Sequence, residues 1–132
     1  MSTRTGFAST LALACVGLLL FSLALESLAA EGDLDTTFGE DGKVTTDFGS
    51  GHDIAYAVAV DAAGRVVAVG SADNGNDFDF GLARYRMDGS LDASFGTDGR
   101  VLTPIGSNDD AYGVAFDSAG RIVVVGAVFD GQ

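Results

Sequence analysis

The stretch Asp73-Asn74-Gly75-Asn76-Asp77-Phe78-Asp79 is the densest set of oxygen donors in the chain. Calcium collects about six to eight such oxygens, so Asp73, Asp77 and Asp79 are the residues that could hold it. An EF-hand register counted from Asp73, however, puts Gly75 and Phe78 where a ligand and a glycine are needed. A solvated hairpin loop is the simpler reading of the same residues. His52 is the only histidine and Cys15 the only cysteine, so a zinc site would have to be built from carboxylates. Arg84, Arg86, Arg100 and Arg121 could gather around a carboxylate substrate, although such arginines more often pair with neighbouring aspartates. Beyond residue 30 the glutamates are Glu31 and Glu40, so a two-carboxylate glycosidase site would need aspartates. No Gly-x-Ser-x-Gly, His-Glu-x-x-His or phosphate-loop pattern occurs. The expectation is a chain with no catalytic or cofactor-binding residues, with calcium the one metal its loops could take.

The elements carrying these residues are written twice. Leu34 to Gly70 is restated from Leu91 to Gly126 with identity at most aligned positions. The alignment leaves Ile54 over and sets Asp109 opposite His52. Tyr56, Val58 and Val60 alternate with Ala55, Ala57 and Ala59, the period of a strand. Asp61-Ala62-Ala63-Gly64 then predicts a type I turn whose glycine takes positive φ, and Arg65 to Gly70 returns as a second strand. The second copy repeats this hairpin through Tyr112, Val114 and Phe116, then Asp117-Ser118-Ala119-Gly120, then Arg121 to Gly126.

Both faces of these strands are apolar, one bulky and one small, which predicts sheets covered on both sides. Phe80 to Arg86 predicts a third strand, ended by a turn at Met87-Asp88-Gly89-Ser90. Short fourth strands are expected at Lys43 to Phe48 and at Arg100 to Ile105, with Pro104 marking an edge or an irregularity. Asp35 and Asp92 are placed to cap a single turn, and Gly39 and Gly96 to end it. Leu34, Phe38, Leu91 and Phe95 would pin that turn to a sheet, and Asp41-Gly42 and Asp98-Gly99 lead into the next strand. Four strands per repeat is the content of one propeller blade. The fold class is therefore all-β: a propeller-like repeat of four-stranded antiparallel sheets, about seven strands in all and so an incomplete propeller, preceded by a hydrophobic signal helix.

Asp88-Gly89-Ser90-Leu91-Asp92-Ala93-Ser94-Phe95-Gly96-Thr97-Asp98-Gly99-Arg100-Val101, with Ala111 to Ala115, Gly120 to Gly126 and Leu82 to Tyr85, closely resembles the delta-60 repeat. The resemblance covers 34–132. It implies a β-propeller-like fold in a bacterial exported or surface protein, and it brings no catalytic residues. Members of that family usually carry many copies, whereas one whole repeat and part of a second occur here.

Residues 1–29 read as a signal peptide. Arg4 is followed by an uncharged, largely apolar run from Phe7 to Leu25 and by small residues at Ser27-Leu28-Ala29. The rival is a membrane anchor through residues 7–25, since the run could nearly span a bilayer. Lipidation at Cys15 is disfavoured, because Ala12 stands where a leucine is usual. A short linker at 30–33, repeat 1 at 34–90 and an incomplete repeat 2 at 91–132 complete the division.

The net charge is −12, and loss of the first 29 residues leaves it unchanged because Arg4 and Glu26 cancel. Such a surface repels phosphate backbones and anionic headgroups, so neither nucleic acid nor membrane is an expected partner of the mature chain. The function expected is a non-catalytic exported scaffold for an unidentified protein or carbohydrate partner. The alternative is a fragment of a larger propeller enzyme whose catalytic residues lie elsewhere. Apolar faces on fewer than two blades also predict self-association, or a poorly cooperative monomer.

Overall fold

A computed structural model describes residues 31–49 and 51–130; residues 1–29, read from the sequence as a signal peptide or, through 7–25, an anchor, lie outside them. Among the described residues the chain is all-β and forms no helix. Its strands are β1 (Ile54–Val60), β2 (Val66–Asp73), β3 (Phe78–Tyr85), β4 (Arg100–Thr103), β5 (Asn108–Phe116) and β6 (Ile122–Phe129). β1 to β4 form an antiparallel meander, each strand paired with the next. β5 and β6 form a second antiparallel hairpin, linked to β3 only by a single parallel bridge at Phe78–Asn108. The hairpin lies across one face of the meander. One four-stranded blade thus carries the first two strands of another, the arrangement of an incomplete propeller-like fold.

The repeated turns form as their residues dictate. The Gly64 N–H donates to the Asp61 carbonyl at 3.0 Å and the Gly120 N–H to the Asp117 carbonyl at 2.9 Å. Both glycines have φ of 76°. A Cβ at Gly120 would touch nothing, so Gly120→Ala isolates the cost of positive φ. We expect a loss of roughly 1 kcal/mol. An unchanged urea midpoint would count against the turn. Asp41 and Asp98 also take positive φ, at 53° and 49°. With Gly42 and Gly99 they make tight Asp-Gly reversals closed by the bridges Glu40–Lys43 and Thr97–Arg100.

β1 and β5 each contain a bulge, between Ala55 and Ala57 and between Ala111 and Gly113. Tyr56 and Tyr112 are the extra residues, so the strict alternation begins only after them. A bulge turns its side chain out of the pleat. The two rings are exposed and meet edge to face, 5.2 Å between centroids.

The core lies between the two units. Val67, Val69, Phe80, Leu82 and Ala111 are buried, with Val114, Phe116, Ile122 and Val124 of the second hairpin packed on them. Three expectations are corrected. Lys43 to Phe48 is not a strand, because among the described residues nothing beside it offers ladder partners beyond the Glu40–Lys43 bridge. The described residues therefore form six strands where about seven were expected. Leu34 is 52% exposed and pins little, while Phe38 meets Tyr85 edge to face and Phe95 joins the core.

Candidate functional site

A cleft of about 260 Å³ lies between Val44–Phe48 and the sheet. Its floor is flat because β2 and β3 place Ala68, Gly70, Gly81 and Ala83 there. Phe48 lies against Gly81, its ring within 3.6 Å of where a Cβ would stand. The hydroxyls of Thr46 and Tyr85 share a hydrogen bond of 2.6 Å across one part of the cleft. Asp53 ties down another part, accepting the Phe48 N–H at 2.9 Å and the Asp73 N–H at 3.2 Å. The polar groups thus serve first to hold the Val44–Phe48 strap against the blade.

Asp109 performs the same task in the second unit. Fully buried, it accepts the Ile105 N–H at 2.7 Å and the Gly106 N–H at 2.9 Å. The equivalence of Asp53 with Asp109 corrects the alignment. Ile54 pairs with Ser71 as Asp110 pairs with Ala127, so Ile54 matches Asp110. The extra residue of the first copy belongs to the loop before Asp53, and Asp109 is not in the place of His52. The signal was present in the spacing from Gly49-Ser50 to Asp53 and from Gly106-Ser107 to Asp109, which differs by one. Asp110 instead accepts from the Ser71 hydroxyl and, at 2.9 Å, from Tyr112. This last bond, ahead of burial, raises the Tyr112 phenol above its ordinary value.

Arg84, Arg86, Arg100 and Arg121 do not gather at one place, although Arg65, at 3.8 Å, shares Asp92 with Arg84. Arg84 bonds Asp92 through Nε at 2.9 Å and stacks over Phe95, 4.5 Å from the ring centroid. Arg121 pairs with Asp117, its own turn residue, as Arg65 pairs with Asp61. Arg100 donates to the Asp47 carbonyl, and Arg86 is exposed. The Asp92 carboxyl is held below the ordinary range first by the Ser94 hydroxyl, then by the Ser94 N–H and Arg84, against burial. Asp61 and Asp117 are lowered chiefly by the backbone N–H of Arg65 and of Arg121. Each depressed group is a turn or cap residue. Asp35 and Asp88 follow, lowered by the Thr37 and Ser90 hydroxyls.

In the Asp73–Asp79 loop the Asn74 amide sits between two of the three carboxylates. It donates to Asp77 and, at 2.9 Å, to Asp79. Asp73 caps its own turn by accepting the Gly75 N–H at 2.7 Å. Asp79 is buried, with Oδ1 lacking a hydrogen-bond partner. Among the described residues no three His, Cys, Asp or Glu side chains come together as metal ligands do. An amide occupies the position between Asp77 and Asp79 that a shared cation would need. His52 is exposed in its loop.

Residues 64–95 match a family described as a domain of unknown function (DUF5122) beta-propeller. The match runs from the first hairpin turn through β2 and β3 to the capped turn at Asp92–Phe95, and it agrees with the propeller-like stacking of the strands. Comparison with curated proteins and with solved structures finds no match.

Proposed function

We propose that this chain is an exported, non-catalytic β-propeller-like repeat module, a scaffold that offers its cleft to a protein or carbohydrate partner. The observation that carries the reading is where the polar side chains are used. Asp61 with Arg65, Asp117 with Arg121 and Asp92 with Arg84 each close a turn or tie a turn to a strand. Asp53 and Asp109 fasten loops. The chemistry repeated from one unit to the next is the chemistry of a scaffold. The delta-60 resemblance supports the same reading, and Arg4 followed by Phe7 to Leu25 supports export.

Expression with the native N-terminus in a bacterium tests it. The protein should appear outside the cytoplasm, shortened by about 29 or 30 residues in an intact-mass measurement. A full-length, membrane-retained product would favour the anchor instead. The exported material should turn over no member of a glycoside, ester or peptide substrate panel. Turnover abolished by Asp92→Asn would reassign these pairs to an active site.

A further inference from the structure

The two units are copies in sequence, but they are not copies in burial. On one face of the first hairpin Val67 and Val69 are 0% and 1% exposed, covered by β5–β6. Their counterparts in the second hairpin, Val123 and Val125, are 47% and 62% exposed. The opposite faces show the reverse. Val114 and Phe116 are packed into the core, while their counterparts Val58 and Val60 are 64% and 61% exposed. The strap at Val44–Phe48 stands over this second face at β3, where Ala83 and Tyr85 are buried, and at part of β2, and leaves Val58 and Val60 of β1 open.

The molecule therefore carries both halves of an interface it has already formed once. Its internal junction shows how the Val67/Val69 type of face receives the Val114/Phe116 type of face. The free Val123/Val125 face is of the first type and the free Val58/Val60 face is of the second. We propose that this chain associates head to tail with a second copy of itself, the β5–β6 outer face of one copy receiving the open β1–β2 face of the next. The contact is heterologous, because the two surfaces differ, so it propagates into a ring or an open chain rather than stopping at a symmetric pair. Each copy carries a net charge of −12. Like charges on both partners oppose the contact, so added salt strengthens it by screening. The inference rests on the repeat faces alone and stands or falls separately from export and from the absence of turnover.

Sedimentation velocity of the purified chain tests it, with two variants at exposed positions, Val58→Lys and Val125→Lys. The parent should form oligomers that grow with concentration and with salt. Each variant should remain monomeric at concentrations roughly tenfold above the parent midpoint, with an unchanged circular dichroism spectrum. Mixed together, the two variants should form dimers that grow no further, because each supplies the face the other has lost. A parent that stays monomeric at every concentration would overturn the proposal. So would a mixture that stays monomeric, or variants that associate as the parent does, as they would if β6 edges or residues 7–25 were the point of contact.

Discussion

Asp109→Ala is expected to lower stability by roughly 3 kcal/mol. The carboxylate is fully buried and takes the N–H groups of both Ile105 and Gly106, just where the chain leaves β4 and enters β5. Removing it leaves the two backbone donors without their acceptor and empties a fully buried position. An unsatisfied buried donor costs about 1–3 kcal/mol, which sets the scale. Asp109→Asn keeps one acceptor oxygen and should lose less. Asp53→Ala, at the half-buried counterpart, should also lose less, since the Asp53 side chain is itself less buried than that of Asp109. Urea unfolding of the three variants gives the ranking directly. Equal midpoints for Asp109→Ala and the parent would mean that water enters and satisfies the loop, and that the aspartate is not its fastener.

That residue also marks the limit of what the sequence disclosed. The hairpins were legible, because Asp-x-x-Gly between period-two apolar runs has few other conformations, and both turns form with glycine φ of 76°. The third strand was legible for the same local reasons, whereas β4 was read through to Ile105 and stops at Thr103, before Pro104. Burial was not. Val67 and Val123 are the same residue in the same repeat position, yet one is 0% and the other 47% exposed. Which face is covered depends on what stands next to the strand, and no local pattern carries that. Lys43 to Phe48 fails as a strand for this reason too: Arg100–Thr103 has β3 beside it, and its counterpart has no such neighbour among the described residues.

Gly70 and Gly126 illustrate a third kind of limit. In sequence they close a valine run and read as strand ends. In the structure each stands inside its strand, opposite a bulge, where a Cβ would collide with the carbonyl oxygen of Ile54 or of Asp110. The bulge demands the glycine, and it also releases the alternation that made the strand recognisable. The candidate site was legible only as a set of residue types. Asp73, Asp77 and Asp79 read as one loop in the sequence, but Asp73 ends β2 and Asp79 lies in β3, so only Asp77 stands in the turn, and the Asn74 amide between Asp77 and Asp79 came from the fold of that turn.

Phe80→Ala should have the largest effect of all, about 3–5 kcal/mol. Phe80 is 8% exposed and lies in the core with Val67, Val69, Leu82 and Ala111. Its ring tip stands 2.7 Å from where a Cβ would project from Gly126, so it reaches from β3 across to β6. Besides the bridge at Phe78–Asn108, the Ser71–Asp110 hydrogen bond and the Tyr56–Tyr112 contact, side-chain packing of this kind joins the second hairpin to the first sheet. Truncation removes that reach and leaves a cavity that β5 and β6, tied to each other along their whole length, can close only by shifting together. The loss should therefore fall unevenly. Hydrogen exchange should accelerate across residues 108–129 more than across β2 and β3, because the hairpin loses its seat while the meander keeps its ladders. Phe129→Ala provides the control: the same deletion at a ring 53% exposed should stay within about 0.5 kcal/mol. Equal losses in the two variants, or uniform acceleration of exchange, would mean that the two units do not depend on the Phe80 contact and that stability lies elsewhere in the sheet.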